Sequence, residues 1–222
     1  MRAPTSGEFY ERWATVYDRV ARLPGLRSWR GGAVDALDLA PGDTVVEMGV
    51  GTGANVPELR ERVGPGGRVV GLDITAEMLR TARRHPERTG AGVDYLRADA
   101  TRPPVRRVDA VLGAFVAGIF PDPAAAVDAW CDCVVPGGRV ALLNFQRSDA
   151  VLGAPLNLAF EGFVRLSSPG TRLSGGSHAD AFEARVAAAR RRLTERTVDR
   201  RYETFGGGYL GLVSGTVPDD TG

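Results

Sequence analysis

The first clear rhythm along the chain places Phe9, Trp13, Val16, Val20 and Leu23 at spacings of three and four. That spacing predicts one apolar face of a helix over residues 5–23. Pro24-Gly25 is expected to break it, and a second helical segment runs from about Ser28 to Leu39, ending at Pro41-Gly42. The pattern then changes to short Val- and Leu-rich runs at 44–48, 68–73, 93–99, 108–114 and 138–145. Helical segments are expected between them at 54–63, 75–84, near 100–104 and at 123–134. Alternation of this kind predicts an α/β fold, doubly wound, with a mostly parallel sheet covered on both faces. The last third differs. Residues 148–176 read as a helix plus a loop, and 178–193 as a helix. Residues 196–205 and 209–217 flank Gly206-Gly207-Gly208 and read as an antiparallel hairpin that brings the sheet to seven strands.

Length and composition fit this plan. A chain of 222 residues, 43% hydrophobic and 25% charged, is expected to form one domain. Within it, cap helices occupy 1–40, a core 43–145, a substrate-covering insert and helix 146–195, and the hairpin 196–217. The net charge of +1 leaves no basic footprint for nucleic acid. All 28 basic residues are Arg, which removes lysine as a general base or Schiff-base former. Cys131 and Cys133 are too close to bridge, and with only two histidines no zinc site is expected. The amino-terminal residues lack the apolar core of a signal peptide, and no run reaches the ~18 apolar residues of a membrane span. A cytoplasmic location, as monomer or homodimer, is the expectation.

The densest chemistry lies in "TVVEMGVGTGANVP", residues 44–57. Gly49, Gly51 and Ala54 satisfy the dinucleotide pattern G-x-G-x-x-G/A, while Glu47 before Gly49, Gly51 and Gly53 suits an adenosyl-methionine site. Asp73 follows the second strand, 22 residues after Gly51, where a carboxylate can accept both ribose hydroxyls. Both cofactors share these features. Glu47 favours the second, because a pyrophosphate is repelled by a carboxylate whereas a sulfonium or ammonium is not. Asp99 and Ala100, in "LRADAT", stand where an acid and a backbone N–H can read an adenine edge. "VVPGGRVALLNF" puts a Pro-Gly-Gly turn before the fifth strand.

These segments in order resemble the class I S-adenosylmethionine-dependent methyltransferases over about residues 9–217. "VVEMGVGTG" is similar to the first motif, "VVGLDITAEML" to the second, "YLRADATRPPV" to the adenine-binding segment, "VDAVLGAF" to the fourth-strand motif and "VPGGRV" to the turn before the fifth strand. The resemblance implies a Rossmann-like fold and S-adenosyl-L-methionine as cofactor. It implies that Glu47, Gly49, Gly51 and Gly53 cradle the methionine and ribose portion and that Asp73 holds the ribose hydroxyls. Met78 would line the adenine pocket, Asp99 and Ala100 would bind the adenine, and Tyr17 would cap the cofactor from the first helix. "YERWATVYDRVARLPGLRSWRGGAVDAL" resembles the amino-terminal helices of quinone-biosynthesis and bacterial phosphatidylethanolamine N-methyltransferases, without the landmarks expected between the two helices in the quinone enzymes.

Absences narrow the acceptor. "GAFVAGIFPD" is not the Asn/Asp-Pro-Pro-aromatic sequence that holds an exocyclic base nitrogen, and a Lys-containing catalytic tetrad cannot be built. Phe115, Val116, Ile119 and Phe120 point to a small, partly apolar acceptor. A phospholipid headgroup at a membrane surface is the alternative, carried by seven Arg against four acids over 183–203, although a solvated helix face explains that excess as well. An NAD-dependent oxidoreductase is the alternative of another class. His178 is the one candidate base, with a surface histidine at a helix start as the competing view. His85 reads as a solvated cation at a helix end.

Overall fold

The computed structural model describes residues 24–146 and 178–219. The predicted helix over 5–23, Tyr17 within it, and the segment 148–176 lie outside these residues. In chain order the elements are α1 (Pro24–Asp35), β1 (Thr44–Met48), α2 (Val56–Val63), β2 (Arg68–Asp73), α3 (Ala76–Arg83), β3 (Val93–Arg97), β4 (Val108–Ala114), α4 (Pro123–Cys131), β5 (Val134–Phe145), α5 (His178–Arg196), β6 (Val198–Phe205) and β7 (Leu210–Thr216). Short 3-10 turns cover Pro86–Arg88 and Ala117–Ile119.

The seven strands order as β3-β2-β1-β4-β5-β7-β6. β3, β2, β1, β4 and β5 run parallel, and β7 enters antiparallel between β5 and β6. The central parallel strands β1, β4 and β5 are largely apolar on both faces, as burial between two helical layers requires. Val46, Met48, Val111, Val140 and Leu142 pack with α4 and α5 residues such as Trp130, Ala189 and Leu193. Val45, Leu112, Ala141 and Leu143 pack with α1 and α2 residues such as Val34, Val56 and Leu59. β6, at one edge, is solvent-facing along nearly its whole length and carries Asp199, Arg200, Arg201 and Glu203, charges that discourage further strand addition. No helix among the described residues is long and apolar enough to cross a membrane.

Three expectations are corrected. The second helix, expected from about Ser28 to Leu39, spans Pro24–Asp35 instead, since proline is tolerated in a first turn whose N–H has no intrahelical acceptor. Residues 100–104 form turns rather than a helix. There Ala100 is fixed by its carbonyl, which accepts a 2.6 Å hydrogen bond from the Trp130 indole. Pro136-Gly137-Gly138 is not a turn ahead of β5 but lies within it. The pairing shifts from Val108↔Val134 to Ala110↔Arg139, so the segment bulges from β4 while Gly137 N–H donates to the Val217 carbonyl.

Trp130 is wholly buried beneath the sheet, and its N–H is the donor that satisfies the Ala100 carbonyl. Trp130→Phe keeps the ring and removes that donor. A loss of about 1–3 kcal/mol in urea unfolding is expected; an unchanged midpoint would show that the bond contributes nothing.

Candidate functional site

In an open parallel sheet the crevice for a ligand lies at the carboxyl ends of the strands, where strand order reverses. Here that is between β1 and β4. Three segments meet there: the turn after β1, the end of β2 and the turn after β4.

The turn after β1 is left-handed at Gly49 (φ 72°), Gly51 (φ 56°) and Gly53 (φ 79°). At Gly49 a side chain is excluded twice, by that φ and because a Cβ would stand 2.6 Å from Val116 Cγ2. Val116 belongs to the turn after β4, so Gly49 is where the two turns press together. Arg88, itself buried, supports the loop by donating from Nη1 to the Thr52 carbonyl (2.7 Å). The Tyr95 hydroxyl donates to the Arg88 carbonyl (2.7 Å), and burial pushes that phenol further up from its ordinary value.

Asp73 ties the second segment to the first. Its Oδ2 accepts from Gly51 N–H (2.9 Å) and its Oδ1 from Thr75 N–H (2.8 Å), at the start of α3. Burial raises its pKa, against the lowering effect of these amide donors. Met78, in the first turn of α3, is half-buried close behind.

Glu47 lies directly beneath the glycine turn and is 2% exposed. Its Oε1 accepts from Asn55 Nδ2 (2.5 Å), whereas Oε2 is buried with no hydrogen-bond partner. Burial pushes its carboxyl up to about 8, opposed by the Asn55 hydrogen bond and the charge of Arg30 on α1. An orphaned carboxylate oxygen under a glycine-rich turn fits a ligand that brings a positive charge or an N–H donor.

The structure therefore brings Glu47, Gly49, Gly51, Gly53, Asp73 and Met78 to one edge. Asp99 stands exposed at the end of the adjoining segment, where the Thr101 amide and hydroxyl hold its carboxyl below the ordinary range; Ala100 is buried beside it. Among the apolar residues after β4, Val116 and Phe120 are buried, Phe115 is half-buried, and only Ile119 is exposed. His178 opens α5, but its side chain is outside the described part. His85 Nδ1 lies 3.6 Å from Glu87 Oε1. Cys131 and Cys133 are buried free thiols, and burial pushes Cys131 up to about 11, so neither serves as a nucleophile. Among the described residues no group of three potential ligands could hold a metal ion.

One contributor was not legible beforehand. Asn55 is the partner of Glu47, and its position inside "GTGANVP" was the available signal. Phe115 adopts φ 59°, a rare conformation for a bulky residue, while its N–H donates to the Leu143 carbonyl (2.7 Å) and its ring packs 4.6 Å from Phe145. Strained turns of this kind gather at functional sites.

Comparison with known proteins agrees with this geometry. Residues 45–138 match a family model described as a methyltransferase domain. The chain is 33% identical over 154 residues to a phosphatidylethanolamine N-methyltransferase of Cereibacter sphaeroides, covering 65% of this chain and 70% of that one. It is 38% identical over 138 residues to a demethylmenaquinone methyltransferase of Thermus thermophilus, covering 60% and 62%. Other curated relatives are longer, and the match spans as little as 29% of their length. A solved S-adenosylmethionine-dependent methyltransferase of Aquifex aeolicus shares the fold, with a TM-score of 0.61, 19% identity, and coverage of 92% and 98%.

The raised Glu47 carboxyl has a consequence for stability. The native state retains a proton that the unfolded chain has released, so this contribution is full below about pH 4.5 and is lost as pH rises toward 8. Glu47→Gln removes the loss. In denaturant unfolding of the ligand-free protein, the stability of Glu47→Gln relative to wild type is expected to climb between pH 5 and 8. A constant difference would show that Glu47 titrates as an ordinary carboxyl.

Proposed function

Because the chain belongs to the class I S-adenosylmethionine-dependent methyltransferases, we propose that it transfers the methyl group of S-adenosyl-L-methionine to a small, partly apolar acceptor. The observation that carries this reading is Glu47, buried under the Gly49–Gly53 turn with one oxygen unpartnered and joined to the Asp73 edge. In this reading Glu47 and the glycine turn face the methionine portion, Asp73 takes the ribose hydroxyls, and Met78, Asp99 and Ala100 border the adenine. The bound cofactor supplies a methyl group already activated by its sulfonium. What remains for the chain's own residues is to align the acceptor and exclude water.

The acceptor side is the turn after β4. The half-buried Phe115, packed at a tilt against Phe145, and the exposed Ile119 offer apolar surface beside Val116, which touches the glycine turn. Tyr17 and His178 stay proposals as cofactor cap and base. Phosphatidylethanolamine-type N-methylation is the second reading, favoured by the similarity to the Cereibacter sphaeroides enzyme. Its basic surface is weakened, however, because Arg192 and Arg196 are both spent on Asp128. The seven-strand order ending in an antiparallel pair supports the methyltransferase over the oxidoreductase alternative.

Release of S-adenosylhomocysteine should be measured across small amines, phenols and hydroquinones, phosphatidylethanolamine vesicles, and nucleic acid. Turnover is expected with members of the small apolar set and not with nucleic acid. Turnover confined to vesicles would establish the lipid reading, and thermal stabilisation by NADH but not by S-adenosylhomocysteine would overturn both.

A further inference from the structure

Asn144 is the last residue but one of β5, at the carboxyl edge of the sheet. Its side chain is 0% exposed, yet neither Nδ2 nor Oδ1 has a hydrogen-bond partner. An amide buried on both its donor and acceptor sides is unfavourable unless something arrives to pair with it. Opposite Asn144 in the β5–β7 register stands Gly211. A Cβ there would collide with the Arg190 guanidinium and the Gln146 carboxamide, so only glycine lets these two side chains lie over the strand pair beside Asn144.

Arg190, on α5, donates from Nη1 to Gln146 Oε1 (2.5 Å) and from Nη2 to the Gly211 carbonyl (3.3 Å), and the Tyr202 ring lies 5.9 Å away. Its Nε is buried and unpartnered. Burial lowers its pKa, and the one influence opposing that comes from Tyr202 rather than a carboxylate. The contrast along the same helix is sharp. Arg192 is bound by Asp128, and Arg196 by Asp128 and Asp132. A partly desolvated guanidinium with no counterion among the described residues, near an unpaired amide, forms a receptor for an anion.

Its place in the sheet connects it to the site. β5 adjoins β4, and β7 is the next strand, about 5 and 10 Å from β4. Phe115, whose N–H donates to the carbonyl of Leu143, the residue before Asn144, leads into Val116 and so to Gly49. A molecule reacting beside the glycine turn can therefore extend along the same edge to Arg190. We propose that Asn144 and Arg190 bind an anionic oxygen, carboxylate or phosphate monoester, carried by the methyl acceptor at the end away from the methylated atom. This rests on the methyltransferase reading.

The test uses the full chain saturated with S-adenosylhomocysteine and three probes sharing one ring system: 2-naphthoate, 2-naphthyl phosphate and the neutral 2-naphthamide. Isothermal titration is expected to show at least one anion binding about tenfold or more tighter than the amide; the better anion identifies the acid group. Arg190→Met should abolish the preference and Arg190→Lys should restore part of it, with S-adenosylhomocysteine affinity unchanged. Asn144→Leu, which replaces an unpaired amide by an apolar group, should fold and lower the preference severalfold. Equal binding of all three probes, binding of none, or a preference that survives in Arg190→Met would overturn the proposal. Failure of S-adenosylhomocysteine itself to bind would instead sink the underlying methyltransferase reading.

Discussion

A single carboxylate joins the two turns on which the site depends. Asp73 accepts from Gly51 N–H with one oxygen and from Thr75 N–H with the other. The first amide belongs to the loop after β1 and the second to the start of the helix after β2. In the loop only Val50 and Thr52 carry side chains, and at the three glycines between and around them backbone freedom is greatest, so the bridge adds an anchor where the chain is most free. The bridge is local, but its partners are set by the parallel register of β1 and β2, which brings Met48 opposite Leu72. Sheet, loop and helix start thus converge on one residue.

Around this bridge the site divides into charged and apolar sides. Glu47 and Asp73 both have their carboxyls raised by burial, so the edge is poised to favour a ligand that contributes positive charge or hydrogen-bond donors. Arg30 and Asn55 soften the cost at Glu47 without supplying a partner to its second oxygen. On the other side, Val116 seals against Gly49 while Phe115 and Phe145 face each other across the ends of β4 and β5. The strained φ of Phe115 turns the chain sharply at the end of β4, in place of a regular continuation of the strand.

Much of the fold was legible because it rests on periodicity. Runs such as Thr44–Met48 and Val108–Ala114 are apolar on both faces, and their spacing with helices permits few topologies. The glycines, Glu47 and Asp73 were legible because few residue types serve those positions. What escaped depends on tertiary partners. Pro24 fits either a helix stop or a helix start. Pro136-Gly137-Gly138 looks like a turn until the carbonyl of Val217 arrives to accept from Gly137. Asn144 looks like an ordinary polar residue in a strand, and Arg190 like one more arginine on a basic helix. Only their burial, and for Arg190 the lack of a carboxylate partner among the described residues, set them apart.

The assignment of the cofactor edge stands or falls with Asp73. Calorimetric titration of S-adenosylhomocysteine into wild type and Asp73→Ala measures its contribution directly, provided that both proteins unfold cooperatively. Loss of a charged acceptor and of the bridge to Gly51 should weaken binding by about 1–3 kcal/mol, or roughly five- to 150-fold. Equal affinity in the two proteins would contradict the assignment and place the cofactor away from the carboxyl ends of β1 and β2.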